Sequence, residues 1–151
     1  MYGSQKGHMG PIEEIEKISE IAFNITKELP DGWVSADYYS MFMGAYGIQQ
    51  IDVEKEGGEV DRVSLPPSFI INTMQLRSGM YKENEGTWLS WELNVSNEGR
   101  YRSKFNYDKM PPYTFSPSDR EYIRETELFP REGEHMPSWL QDKIDEINLQ
   151  S

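Results

Sequence analysis

The sequence predicts a single α+β domain, in which an antiparallel β-sheet of about four to six strands carries N-terminal, middle and C-terminal helices packed on it. Three observations support this prediction. Apolar residues recur every three or four positions near both ends and in the middle of the chain, and they alternate with polar residues in between. Glycine-containing turns separate the alternating segments, as in antiparallel hairpins. The length of 151 residues, with 36% apolar side chains, suits one domain with one core.

The first helix is expected in residues 11–29. Residues 1–9, MYGSQKGHM, resemble a vector-derived tag or a disordered tail, so we assign the domain to residues 10–151. Pro11 suits the first helical turn because its missing N–H has no partner there, and Pro30-Asp31-Gly32 ends the helix. We expect the apolar stripe to face the core through Ile12, Ile15, Ile18, Ala22, Ile25 and Leu29.

Alternation with a period of two begins at Trp33 and predicts the first strand. One face of this strand should carry Val34, Ala36, Tyr38, Ser40 and Phe42, and the other Tyr39, Met41 and Met43. Ile51 and Val53 predict a second strand, and residues 60–65 predict a third. Gly57-Gly58 favours a hairpin turn between them because glycine accepts a positive φ.

A middle helix and a second hairpin follow. Helical spacing predicts the helix in residues 68–82, after Pro66-Pro67. Residues 87–95 alternate, so Leu89, Trp91, Leu93 and Val95 should face the core, opposite Trp88, Ser90, Glu92 and Asn94. The returning strand, residues 100–107, should turn Tyr101, Ser103, Phe105 and Tyr107 inward. Its solvent face carries Arg100, Arg102 and Lys104, which we expect to neutralise acidic neighbours; contact with an anion is the alternative.

The segment FNYDKMPPYTF, residues 105–115, ends this hairpin. Pro111-Pro112 cannot continue the ladder, so Tyr113 and Phe115 should lie across the edge or a face of the sheet. Ser116-Pro117-Ser118-Asp119 indicates the start of a short helix that runs to about Leu128. A last helix should begin near Pro137, with an apolar side formed by Trp139, Leu140, Ile144 and Ile147.

The sequence shows no pattern typical of catalysis. There is no cysteine, and His135 is the one histidine outside the N-terminal tail. A serine triad would therefore need His135, and the spacing of the carboxylates does not single out a catalytic pair. Glycine-rich phosphate-binding motifs are also lacking. We predict a protein that is not an enzyme, with no catalytic residues, no cofactor and no metal.

The charge balance indicates what the protein binds. Fifteen Lys and Arg residues face 26 Asp and Glu residues, which gives a net charge of −11. Such a chain repels nucleic acids and anionic membranes and attracts a basic partner, although an acidic surface can also serve solubility alone. Without a long apolar segment or a secretory h-region, the expected location is cytoplasmic, with no membrane contact.

Several motifs together resemble the YezG-like immunity proteins of bacterial polymorphic toxin systems. The resemblance covers nearly all of residues 11–145 in the order of elements, and residues 86–140 carry its most specific part. The matching motifs are Gly86-Thr87-Trp88, Phe105-Asn106-Tyr107-Asp108, Phe129-Pro130-Arg131 and Pro137-Ser138-Trp139-Leu140. The last two are also similar to motifs in immunity proteins for other secreted toxins, including toxins that degrade NAD.

The resemblance implies a cytoplasmic antitoxin that binds a cognate toxin domain, a basic nuclease, and blocks its active site. The charge agrees, since an acidic protein can occupy a phosphate-binding groove. Three alternatives stay open: immunity to an NAD-degrading toxin, a small carboxylate-dependent enzyme, and a nucleic-acid binder using Arg100, Arg102 and Lys104. The toxin and the oligomeric state are not determined by the sequence.

The resemblance transfers no contact residue, so the expected toxin-binding residues rest on charge and exposure. The acidic hairpin supplies Asp52, Glu54, Glu56, Glu59 and Asp61. Glu83 and Glu85 form a second acidic pair, and Tyr39 with Met41 and Met43 supplies an apolar anchor if that strand face is uncovered. The alternative is that these are ordinary solvated residues, or that a helix covers Met41 and Met43.

Overall fold

The computed structural model describes residues 6–150 and confirms the α+β fold. In chain order the elements are α1 (Pro11–Thr26), β1 (Trp33–Met43), β2 (Tyr46–Lys55), β3 (Val60–Val63), α2 (Ser68–Gly79), β4 (Ser90–Ser96), β5 (Tyr101–Asn106), α3 (Asp119–Leu128) and α4 (Ser138–Leu149). A 3₁₀ turn at Gly133–His135 precedes α4. No helix in residues 6–150 is both long and apolar enough to cross a membrane.

All strand pairs are antiparallel, and the order across the sheet is β3-β2-β1-β4-β5. The central strand β1 is flanked by the two hairpins that the sequence predicts, β2–β3 and β4–β5. Gly57 and Gly58 have φ values of 92° and 88°, as the turn between β2 and β3 requires. Strands β3 and β5 are the two edges of the sheet.

The main core lies between one face of the sheet and helices α1 and α2. Its buried side chains include Ile21 and Ile25 of α1, Phe42 of β1 and Trp91 of β4. Tyr38 is buried here too, and its hydroxyl lies 2.9 Å from both Thr73 Oγ1 and Gln49 Oε1. Burial raises the pKa of Tyr38 to about 12, because the tyrosinate would lose its hydration.

A second, smaller core lies at the far end of β1. Met43 alternates with Phe42 and therefore points to the opposite face of the sheet, where it packs with residues of α3 and α4. The predicted apolar side of α4 is confirmed, since this core includes Trp139, Leu140, Ile144 and Ile147. From the aromatic segment after β5, Tyr113 joins this core and donates a hydrogen bond to the Phe42 carbonyl at 2.6 Å. Phe115 is 74% exposed and does not cover the sheet.

The predicted core stripe of α1 is wrong at its first two isoleucines. Ile12 and Ile15 are 70% and 60% exposed, whereas Ile21, which the stripe omits, is buried. At 3.6 residues per turn the face defined by Ile18, Ile21 and Ile25 leaves Ile12 and Ile15 on one flank of the helix. Phe23, 62% exposed, lies on the same flank.

The predicted inner faces of the second hairpin also need correction. Trp88 and Leu89 are both fully buried, in the main and the second core respectively, because β4 begins only at Ser90 and the residues before it do not alternate. Tyr101 and Ser103 are exposed, because β5 is an edge strand that no helix covers completely.

Residues 6–9, assigned to the tail from the sequence, lie against the end of α2. The backbone N–H groups of Gly7 and Met9 donate to the carbonyls of Ser78 and Gly79 at 2.9 and 3.0 Å. Residues 1–5 of that expected tail lie outside the described residues.

Candidate functional site

One face of the sheet, opposite α1 and α2, is uncovered over most of its area, and we call it the open face. The paired strands place its side chains in rows, since directly opposite residues share a face. None of the side chains in its central rows is buried: Asp37, Tyr39, Gln50, Asp52, Glu92, Asn94, Arg102 and Lys104. They surround a shallow groove of about 790 Å³.

Two carboxylates of this groove have no cationic partner among residues 6–150. Asp37 accepts a hydrogen bond from Asn94 Nδ2 at 2.7 Å, and Glu92 lies opposite Lys104 without an ion pair. Tyr39 lies directly opposite Glu92 and two residues after Asp37, so it shares their face. A half-buried tyrosine beside two carboxylates that lack a cationic partner is a suitable contact for arginine and lysine side chains.

The predicted acidic hairpin is divided between the two faces of the sheet. Asp52 and Glu54 belong to the open face, whereas Asp61 lies opposite Val53 and shares the helix-covered side. Glu56 and Glu59 are exposed in and beside the turn. The structure therefore does not gather the five carboxylates into one patch.

Cations of the same hairpin neutralise part of its charge. Arg62 donates to both carboxylate oxygens of Asp52 at 2.9 and 3.3 Å, and Lys55 Nζ lies 2.9 Å from Asp61. Hydrogen bonding to these carboxylates raises the pKa of both Arg62 and Lys55. Glu54, Glu56 and Glu59 are thus the carboxylates of the hairpin that a basic partner could use.

Glu83 and Glu85 lie far from the hairpin turn. The backbone of Glu85 forms an isolated antiparallel β-bridge with that of Arg131, near the start of β4 and the end of β5. The hairpin turn lies at the opposite end of β1, since Lys55 pairs with Trp33 and Ser90 pairs with Met41. An 11-residue strand spans roughly 35 Å, which separates the two acidic groups.

Of the predicted apolar anchor, only Tyr39 is accessible. Met41 and Met43 are 6% and 0% exposed, and Met43 packs in the second core beneath α3 and α4. The alternative that a helix covers this strand face is therefore correct for Met43, and Met41 is buried as well.

A buried ion pair, which the sequence did not indicate, joins α2 to α3. Arg77 Nη2 donates to both oxygens of Glu125 at 2.6 Å, and Arg77 Nε donates to the Trp88 carbonyl at 2.8 Å. Glu125 Oε1 also accepts from the N–H of Gly44 at 2.8 Å, and Glu121 accepts from Ala45 at 2.9 Å. The two glutamates thus fix the β1–β2 turn, so this pair belongs to the framework of the fold.

Arg131 has a similar structural role. Its guanidinium donates to the carbonyls of Tyr107, His135 and Thr87 at 2.9, 2.9 and 2.6 Å. Burial lowers the pKa of Arg131, although the nearby Glu125 carboxylate opposes the shift. The Gly-Thr-Trp and Phe-Pro-Arg motifs therefore contact each other directly, and these residues serve the fold.

Residues 6–150 contain no candidate metal site, since no cluster of three or more His, Asp or Glu side chains there could hold a metal ion. His135 lies in the 3₁₀ turn, where its Nε2 is 4.0 Å from Glu134. No protein-family model matches the chain, and no curated protein is significantly similar to it.

Proposed function

We propose that this chain is an immunity protein that acts in the cytoplasm, where it binds a cognate secreted bacterial toxin domain and blocks its active site. The toxin domain is a basic nuclease. The proposal rests on the resemblance of the sequence to YezG-like proteins and on one structural observation, the uncovered groove of the open face.

The β1 and β4 part of the groove carries carboxylates that a basic partner can contact, and Arg102 and Lys104 line its β5 side. Asp37 and Glu92 are exposed and not ion-paired, and Tyr39 lies directly opposite Glu92 and two residues after Asp37. A tyrosine contributes a large contact area at a small cost in side-chain entropy. The two carboxylates can accept hydrogen bonds from the Arg and Lys side chains that line the phosphate-binding groove of a nuclease.

Charge also favours rapid association with such a partner. The net charge of −11 accelerates the approach of a basic protein, and salt reduces this acceleration. The exposed glutamates of the β2–β3 turn, Glu56 and Glu59, extend the negative surface beyond the groove. Once bound, the protein would exclude the nucleic acid by occupying the same basic groove.

The test uses the toxin domain encoded beside this gene, with nuclease activity and association rate as readouts. The variant Asp37→Lys with Glu92→Lys should associate at least about tenfold more slowly and protect less well. The control, Glu127→Lys with Asp142→Lys, makes the same charge change at exposed sites on α3 and α4. Equal losses in both variants would mean that net charge, not the groove, is responsible. No inhibition by the parent protein would refute the proposed function.

A further inference from the structure

Strand β5 has a free edge. The N–H of Ser96 donates to the carbonyl of Arg100 at 2.9 Å, which fixes the phase of the β4–β5 ladder. Because antiparallel pairs alternate, Tyr101, Ser103 and Phe105 direct their backbone groups away from β4. No backbone group in residues 6–150 pairs with them, since β5 is the last strand of the sheet.

The helix-facing side of this edge is apolar. Helix α1 runs beside β5, and Ser19 Oγ lies 2.9 Å from the hydroxyl of Tyr101. The flank of α1 on this side carries the exposed Ile12, Ile15 and Phe23. A groove of about 370 Å³ lies between α1 and the β4–β5 hairpin, and its lining includes Phe23 and Tyr101.

The opposite side of the same edge is cationic. Arg102 and Lys104 project on the open-face side, Arg100 immediately precedes β5, and none of the three forms an ion pair with a residue in 6–150. The expectation that they neutralise acidic neighbours is therefore not met. In a chain with a net charge of −11, the two unpaired cations of this edge strand, Arg102 and Lys104, form a local site for carboxylates.

We propose that β5 is a docking site for an extended segment of a partner protein, which adds a sixth strand to the sheet. The segment carries carboxylates at alternate positions, facing Arg102 and Lys104, and apolar side chains at the positions between, facing α1. Backbone hydrogen bonds to Tyr101, Ser103 and Phe105 hold the segment, and the two rows of side chains select it.

A second copy of the chain does not fit this edge. Antiparallel pairing of two β5 strands about Ser103 would place Arg102 of each copy opposite Lys104 of the other, and like charges directly opposite are destabilising. The other edge of the sheet is less suitable for an acidic strand. Strand β3 has four residues, and its Arg62 is already paired with Asp52.

This inference does not depend on the partner being a toxin. The site needs only an extended acidic and apolar segment, which pairs with the outer edge of β5, while Arg102 and Lys104 also line the open-face groove. It can therefore be tested without the partner, using two blocked synthetic peptides of about seven residues, one alternating Val and Glu and the other alternating Val and Lys.

The first experiment measures amide hydrogen exchange by NMR with each peptide at about 1 mM, a concentration suited to weak ligands. The Val-Glu peptide should slow exchange of the N–H groups of Tyr101, Ser103 and Phe105. An absence of slowing, or slowing at β3 instead, would overturn the proposal. In sedimentation experiments without peptide, the protein should form no dimer through β5. A dimer that disappears when Arg102 and Lys104 are mutated would overturn the proposal as well.

The second experiment exchanges the charges. Arg102→Glu with Lys104→Glu should weaken binding of the Val-Glu peptide at least about tenfold and create binding of the Val-Lys peptide. The control, Lys82→Glu with Arg120→Glu, makes the same charge change at exposed residues outside β5 and should retain the parent's preference. If both variants lose the Val-Glu peptide equally, or neither does, β5 is not the site.

Discussion

Replacing Glu125 by Gln is expected to destabilise the fold strongly. Arg77 and Glu125 have side chains that are 0% and 1% exposed, and they are joined by two hydrogen bonds of 2.6 Å. The amide retains the shape of the carboxylate but removes its charge, so the guanidinium is left uncompensated in the core. An unpaired buried charge costs far more than the intact pair contributes.

The size of the effect follows from this burial. Breaking a fully buried pair from one side costs about 3–5 kcal/mol, a large part of the free energy of unfolding of a typical domain. For a domain of 151 residues, at about 3 °C per kcal/mol, the melting temperature should fall by roughly 10–15 °C.

The assay is urea unfolding followed by far-UV circular dichroism. Glu121→Gln is the matched control, because Glu121 lies on the same helix and accepts a hydrogen bond from the neighbouring Ala45 N–H. Since Glu121 is partly exposed, this substitution should lower the free energy of unfolding by about 1 kcal/mol or less. The double variant Arg77→Met with Glu125→Met removes both charges of the pair, so its loss of stability should be smaller than the sum of the losses in Arg77→Met and Glu125→Met alone. A loss below about 1 kcal/mol for Glu125→Gln would refute this reasoning.

Three further predictions concern the core and the turns. Folding raises the pKa of Tyr38 from 10.0 to about 12. Its contribution to the free energy of unfolding is therefore complete below pH 10 and is lost as the pH rises toward 12. Between pH 10 and 12, the free energy of unfolding of Tyr38→Phe should therefore fall by roughly 2–3 kcal/mol less than that of the parent, as measured by urea unfolding. An equal fall in both proteins would contradict the assignment. Gly86→Ala should lower the unfolding midpoint more than Gly57→Ala. Both glycines have positive φ, but a Cβ added at Gly86 would lie 2.5 Å from Arg131 Nε, whereas a Cβ added at Gly57 would meet no heavy atom within 4 Å apart from its chain neighbours. Ile25→Ala should cost about 2–5 kcal/mol and Ile15→Ala about 0.5 kcal/mol or less in the same assay, because only Ile25 is buried; similar costs would contradict the orientation of α1.

The sequence predicted most of the fold because its signals are local. Helical spacing after Pro11, alternation from Trp33 and the Gly57-Gly58 turn each depend on neighbouring residues, and the corresponding elements are present. The errors occur where a distant element decides the outcome. Ile15 has helical spacing, but the sheet beneath α1 meets a face that leaves it exposed.

The candidate site was predicted less well for the same reason. Tyr39 was identified because alternation alone puts it on a separate face from Tyr38. Asp37 and Glu92 were missed as contacts, because only the register of β1 with β4 places them beside Tyr39. The acidic hairpin was chosen from its composition, and pairing with Arg62 and Lys55 neutralises part of it.

The sequence by itself determined the α+β class, the order of the helices and strands, and the strong negative charge. These properties depend on periodicity and composition, which are contained in short segments of the chain. Only the tertiary structure decided that Arg77 meets Glu125, that Tyr39 lies in an uncovered groove, and that β5 forms a free edge with unpaired cations. Each of these features joins residues far apart in the chain, so it arises from strand order and helix docking, which local patterns do not specify.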